Sequence, residues 1–292
     1  MSARRVVVGY TATDADAGAD ALALGARLGA ALDAPVHAVV VLPSAENNVS
    51  IPTDAGYERL VQDTARGWLR EAVAPYPGIR GHVRLAQAVS DGLVAAAEEF
   101  DAEVIVVGTG GGGPRGRHRL GTTAEELVHS APVPVALAPE GARKVDPSVG
   151  LPRITAAIGT RPGADVLLDT AASLSRRAKA PLRLLSLAGV DLPARVDVSL
   201  TRLTGQAHAE SVLESVRSAL PAEIEAEAVV GAGSDIEDAV SRIDWQPGEV
   251  ALVGSSRLAQ PRRLFLGSTA GRILRALPVP MIVVPRTSEA SS

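Results

Sequence analysis

Two stretches of this 292-residue chain repeat one another at a fixed distance, and that repeat constrains the fold more than any other feature. Val104-Ile105-Val106-Val107-Gly108 returns as Val250-Ala251-Leu252-Val253-Gly254, Gly121-Thr122 as Gly267-Ser268, and Pro132-Val133-Pro134 as Pro278-Val279-Pro280, each 146 positions later (108 to 254, 121 to 267, 132 to 278). Ala34-Pro35 likewise returns as Ala180-Pro181. Near the start, Val6-Val7-Val8 aligns best with Ile154-Thr155-Ala156, 148 positions on, so the first loop of the first half carries two extra residues. An offset held over so long a stretch marks one structural unit present twice.

Within each half, short apolar runs alternate with longer segments of helical periodicity, the pattern of a parallel sheet covered by helices on both faces. In the first half the strands are expected at Arg4–Tyr10, Val36–Leu42, His82–Ala88, Val104–Val107 and Val133–Ala138. In the second they are expected at Ile154–Ile158, Leu182–Leu187, Glu223–Val230, Val250–Val253 and Val279–Val284. The expected organisation is a first domain over 1–140, a linker over 141–152 rich in Gly, Pro and mixed charge, a second domain over 153–286, and a polar tail over 287–292. Pro132 and Pro134 put two missing N–H donors on one side of an extended segment, which places it at an edge of its sheet. Its apolar Val135–Ala138 and the matching Met281–Val284 both need cover, and antiparallel pairing of the two within one chain would supply it.

Composition excludes several classes. With 46% hydrophobic and 21% charged residues the chain can build globular cores, and a net charge of -4 does not make a field for nucleic acid. It contains no Cys, hence no disulfide frame and no thiolate chemistry, in keeping with a cytoplasmic location. The apolar run after Arg4 and Arg5 stops at Gly9, too short for a signal peptide, and no apolar run approaches the ~20 residues of a membrane helix.

The chemistry concentrates after the fourth strand, where Gly108-Thr109-Gly110-Gly111-Gly112-Gly113 leads through a basic turn to Gly121-Thr122-Thr123 and a helix-like segment. Thr122-x-x-Glu125 or Thr123-x-x-Glu126 reads as a capping box, so a helix N-terminus is expected at the exit of the loop. Free N–H groups and the macrodipole there favour an anion. A Rossmann dinucleotide fingerprint is a poor fit, because the glycines follow the fourth strand and no acidic residue ends a strand about 20 residues later. Pro114-Arg115 follows the glycines, so there is no Walker loop; no G-x-S-x-G elbow occurs; and the five His lack metal-ligand spacing. No catalytic nucleophile and no metal set is specified.

The spacing Gly108-x2-Gly111-x9-Gly121-Thr122, with Ala131-Pro132-Val133-Pro134-Val135 downstream, resembles the nucleotide-binding pattern of universal stress proteins, and the duplication resembles their tandem two-domain members. The resemblance spans residues 4 to 286. It implies an α/β fold of two tandem doubly wound domains, adenine nucleotide alpha-hydrolase-like, each with a five-stranded parallel sheet of order 3-2-1-4-5. Ligands in such sheets lie where the strand order reverses, between the first and fourth strands. Carried onto this chain, the family pattern implies phosphate contacts at Gly108, Gly111, Gly121, Thr122 and Thr123, with glycines supplying close approach and positive φ. It also implies a nucleotide pocket bounded by Gly9, Tyr10, Thr11, Val41 and Val107. Thr11 stands where nucleotide-binding members usually carry Asp. In the second half Arg257 replaces the second glycine and Gly159-Thr160-Arg161 forms the first loop, so that site is expected to be degraded.

Several residues allow a plainer account. Gly-Thr before a helix also makes an ordinary cap. Arg115, Arg117, His118 and Arg119 could neutralise phosphates or form a solvated loop; Asp14, Asp16 and Asp20 suit the dipole of a helix N-terminus better than a metal; Trp68 and Trp245 read as packing residues. The expectation is an ATP-binding regulatory or sensing module, with Mg²⁺ accompanying the nucleotide, the site in the first domain, a homodimer as a further association, and no nucleic-acid or membrane partner. The alternatives are a ligand-free stress-associated interaction protein and a weak nucleotide hydrolase.

Overall fold

The computed structural model describes residues 4–44, 55–110, 118–159, 165–187, 198–255 and 264–285. The first half runs β1 (Arg5–Gly9), α1 (Ala15–Leu32), β2 (Val36–Pro43), α2 (Ala55–Val73), β3 (Arg80–Ala86), α3 (Val89–Glu99), β4 (Ala102–Gly108), α4 (Thr122–Ser130) and β5 (Val135–Ala138). The second runs β6 (Ile154–Ala157), α5 (Asp165–Ala178), β7 (Leu182–Ser186), α6 (Val198–Ala219), β8 (Ala226–Val230), α7 (Ile236–Ser241), β9 (Val250–Gly254), α8 (Ser268–Ala276) and β10 (Met281–Val284). β8 begins three residues later than its β-propensity suggests, because Pro221 to Ile224 closes a turn, with the Ile224 N–H on the Pro221 carbonyl at 2.9 Å.

All strands belong to one ten-stranded sheet of order β3-β2-β1-β4-β5-β10-β9-β6-β7-β8. Each half is parallel with order 3-2-1-4-5. The halves join through β5 and β10, which pair antiparallel with Met281 opposite Leu137, Ile282 opposite Ala136 and Val283 opposite Val135. The strand that the prolines mark as an edge of its own half is thus at the centre of the whole sheet. Pro132 and Pro134 precede its first residue, so their missing donors cost no ladder bond. All eight residues of β5 and β10 are buried, as apolar strands covered on both faces should be.

Alternate residues feed two cores, one on each face, and both run across the seam. Val6, Val8, Ala136, Ala138, Ile282 and Val284 point into the core under α1 and α5. Val7, Val107, Val135, Leu137, Met281 and Val283 point into the core under α3, α4 and α8. α1 lies close on the sheet because its inner stripe is small: a Cβ on Gly25 would sit 2.3 Å from Val8 Cγ2, and one on Gly29 would sit 2.3 Å from Val36 Cγ2.

The segment between the halves is not a loose tether. It forms 3-10 turns at Ala142–Lys144 and Pro147–Val149, and Ala142 and Leu151 are buried in the core under α1. Asp20 is not a dipole-complementing acid at a helix start. It is buried well inside α1 and accepts the Gly141 and Arg143 N–H groups. Asp14 does cap α1, its Oδ1 accepting from the Ala17 N–H at 3.1 Å.

Candidate nucleotide-binding site

The strand order of the first half reverses between β1 and β4, and in sheets of this kind ligands lie beyond the carboxyl ends of the strands at that point, here at Gly9 and Gly108. The expected residues divide over its two walls. Gly9, Val41 and Val107 lie on the α3 side: a Cβ on Gly9 would meet Leu93 Cδ1 at 2.8 Å and Val107 Cγ1 at 3.1 Å, and one on Gly92 would meet Val41 Cγ1 at 2.6 Å. Gly108 and Tyr10 lie on the α1 side. The Tyr10 ring covers Gly18, and burial raises its phenol pKa above the ordinary value. Thr11 is exposed, its hydroxyl 2.8 Å from that of Thr13.

At the far wall α4 starts, and here the structure differs from the capping-box expectation. The N-cap is Gly121, not a threonine, and no side chain caps the helix. Glu126 instead accepts from the Ser90 hydroxyl at 2.7 Å. Among the described residues, Thr122 and Thr123 therefore occupy the first helical turn beside uncapped N–H groups, and nothing lies within 4 Å of a Cβ placed on Gly121. Neither Gly108 nor Gly121 has positive φ; Gly121 is extended at φ -84, ψ 169. The role of Gly108 is close approach: a Cβ would lie 2.1 Å from the Ala17 carbonyl oxygen, so only glycine lets α1 reach the end of β4. Gly111, Arg115 and Arg117 lie outside the described residues.

Three groups at the site, Asp14, Thr109 and His118, have surroundings that the sequence reading did not anticipate. Half-buried Asp14 turns its second carboxylate oxygen toward the loop, 3.5 Å from where a Cβ on Gly110 would be. A carboxylate thus stands at the mouth three residues after Thr11. Thr109 and His118 are both buried and close the base of the glycine loop, with Thr109 Oγ1 3.3 Å from His118 Nδ1. The Thr109 hydroxyl also donates to the Ala138 carbonyl at 2.9 Å, and His118 Nε2 donates to the carbonyl of Val279 in the second half at 2.8 Å. His118 is therefore neither a phosphate ligand nor part of a solvated loop. Burial pushes its pKa down to about 4, against the opposing pull of the Val279 carbonyl, so it is neutral at pH 7. Arg119 is exposed.

The second half repeats this base with different chemistry. Ser255 occupies the place of Thr109, and its Oγ accepts the Phe265 N–H at 2.7 Å. Gly267 is again an uncapped N-cap, here of α8. The loop ends reach back across the seam, the Leu264 and Leu266 N–H groups donating to the Ala131 and Val128 carbonyls at 3.1 Å each. Gly254 has room to spare, with Leu167 Cδ2 3.9 Å from a Cβ there. Thr160, Arg161 and Arg257 lie outside the described residues. Trp245 packs as expected, its Nε1 donating to the Val240 carbonyl at 2.8 Å under the Arg183 guanidinium. Trp68 does not; it is 47% exposed on α2. Among the described residues no three His, Cys, Asp or Glu side chains converge as a metal site, and no helix is long and apolar enough to cross a membrane.

Comparison with known proteins agrees with this architecture. The sequence profile of the universal stress protein family matches twice, over residues 2–139 and 151–285. Universal stress protein Mb2346c of Mycobacterium bovis and universal stress protein Rv2319c of Mycobacterium tuberculosis are each 31% identical over 247 residues, covering 80% of this chain and 83% of theirs. Among solved structures, a universal stress protein from Archaeoglobus fulgidus superposes with a TM-score of 0.67 at 17% identity, covering 98% of this chain and 100% of its own. A functionally unknown protein, PA1789 from Pseudomonas aeruginosa, gives 0.59 at 16% identity over 97% and 93%. With both halves matched by one profile and the β3-β2-β1-β4-β5 order realised twice, the chain belongs to the universal stress protein family, as a tandem two-domain member.

Proposed function

We propose that the first half binds an adenine nucleotide, ATP with Mg²⁺, and that the protein acts as a nucleotide-responsive regulatory module rather than as an enzyme. The observation that carries this reading is the uncapped start of α4 facing open space. Among the described residues its first-turn N–H groups have no side-chain cap, and no atom lies within 4 Å of a Cβ placed on Gly121. Phosphate oxygens suit those donors, and the helix dipole adds about 0.3–1 kcal/mol for an exposed anion. Gly108, Gly121, Thr122 and Thr123 form the phosphate side, and Gly111 belongs with them by its spacing. Gly9, Val41 and Val107 form the apolar side that would receive the base, with Tyr10 and Thr11 at the rim. Asp14 compensates for Thr11: a carboxylate beside the loop suits a ribose hydroxyl or the Mg²⁺ that accompanies the phosphates. We place the single tight site in the first half, because Arg257 replaces a glycine in the second.

Mass spectrometry of the denatured, freshly purified protein, together with melting curves, tests this reading. ATP at 100 times its Kd should add about 2.7 kcal/mol of stability. Gly121→Val should abolish that increment while costing the free protein no more than about 1 kcal/mol, the penalty of a β-branched residue at an N-cap, because Gly121 has ordinary φ and no described atom crowds it. No shift with millimolar ATP and Mg²⁺ would favour the ligand-free interaction protein, and ADP accumulating with time would favour the hydrolase.

A further inference from the structure

The base of the glycine loop is fastened to the other half of the molecule. Thr109 follows β4 directly, and its N–H and hydroxyl both reach the Ala138 carbonyl, each at 2.9 Å, at the end of β5. His118 lies across the base of the loop from it, 6% exposed, with Nδ1 toward the Thr109 hydroxyl. Its other nitrogen donates to Val279, two residues before β10. Neither residue belongs to the glycine spacing, and neither is exposed to ligand.

We propose that His118 is a positioning residue that couples nucleotide occupancy of the first half to the second half through the Val279 carbonyl, by way of the β5–β10 seam. This rests on the nucleotide reading above and assigns its regulation. Three features support it. The buried imidazole donates through Nε2 to the Val279 carbonyl and packs with Nδ1 3.3 Å from the Thr109 hydroxyl, so a displacement of His118 strains or breaks the bond to Val279. The hydroxyl that meets it is anchored to β5, the strand that pairs with β10, so both ends of the relay belong to the seam. The second half returns the arrangement from its own loop, through Leu264 and Leu266 onto the end of α4 and the residue after it. Each loop is therefore braced on the opposite half. A ligand held at Gly121, three residues after His118, acts on the other half, and by linkage the other half sets the affinity for that ligand.

The test is amide hydrogen exchange on the full chain, read over residues 278–285 of the second half, with and without ATP and Mg²⁺, alongside calorimetric titration. Wild type should show slower exchange there when ATP is bound. His118→Leu, which fills the space but loses the bond to Val279, should remove that response and weaken ATP about tenfold. His118→Gln, whose amide can donate to Val279, should restore both. Thr109→Val cuts the other end of the relay, should behave like His118→Leu, and serves if that variant fails to fold. If wild type binds ATP and exchange over 278–285 is unchanged, or if His118→Leu and Thr109→Val respond as wild type does, the coupling is wrong while the nucleotide site stands. If wild type does not bind ATP, the nucleotide reading itself falls and the coupling falls with it.

Discussion

The Asp20 carboxylate on α1 receives the Arg143 guanidinium at 3.0 Å and the backbone N–H groups of Gly141 and Arg143 at 2.9 Å each, which fastens the connecting segment to the first half. The second arm of Arg143 reaches Asp16 at 2.9 Å. Asp20 is 1% exposed and its three donors are part-buried, so its removal leaves them without that acceptor. Asp20→Ala should cost about 3 kcal/mol in urea denaturation. Trypsin should then cut faster after Arg143 and Lys144. A loss below about 1 kcal/mol with unchanged cleavage would show that the segment is held by Ala142 and Leu151 instead.

Arg27 is the opposite case. It is 3% exposed on α1, and among the described residues its Nε and Nη1 have no partner while Nη2 is 3.5 Å from the Gly248 carbonyl. Burial lowers its pKa, the sign of a charge held at a cost. Arg27→Met should therefore raise stability, by about 1–4 kcal/mol on the precedent of buried charges replaced by apolar side chains. Chemical denaturation that shows a loss instead would mean that the guanidinium is fully solvated or paired in solution.

The two halves should answer differently to one substitution at matched positions. Alanine at 108 would drive its Cβ against the backbone of Ala17, which cannot rotate away, whereas among the described residues alanine at 254 would meet only the tip of Leu167 at 3.9 Å. Gly108→Ala should cost about 1–3 kcal/mol or more, as overpacking does, and Gly254→Ala close to nothing. Equal effects in thermal unfolding would mean that α1 can move away from β4.

Stability should also depend on pH in a defined window. His37 is held down to about 4, first by burial and then by His82, Arg5 and Arg80, and His118 is held down to about 4 by burial. Both values lie below the unfolded histidine value of about 6.5, so between pH 6.5 and 4 the unfolded chain binds more protons. Stability is then fully present above pH 6.5 and falls as the pH drops through that window, by about 1.4 kcal/mol per pH unit for each histidine. Below pH 4 these two contributions level off. His118→Leu should reduce the slope by one such increment, measured as unfolding free energy at a series of pH values; an unchanged slope would mean that the folded imidazole titrates normally.

What the sequence determined by itself is what local pattern and repetition can carry. The 146-residue offset gave the duplication, the alternation of apolar runs and helical segments gave a parallel sheet in each half, and Pro132 and Pro134 beside Val135–Ala138 gave a strand that needed a partner. β5 and β10 are those partners, because two apolar strands with open outer sides bury most by pairing with each other. The tertiary structure decided what depends on residues distant in the chain. A histidine in a basic turn reads as a phosphate neutraliser or as part of a solvated loop, and only the packing of one half on the other buries His118 against Val279, 161 residues away. Asp20 lies in a run of helix-start acids, yet the returning segment 121 residues later makes it an acceptor for backbone N–H groups. Thr122 has the residue type of a cap, but the backbone enters α4 at Gly121, leaving the helix start open. In each case the residue's chemistry was legible and its partner was not, because burial and hydrogen-bond geometry are set by which distant segments the sheet brings together.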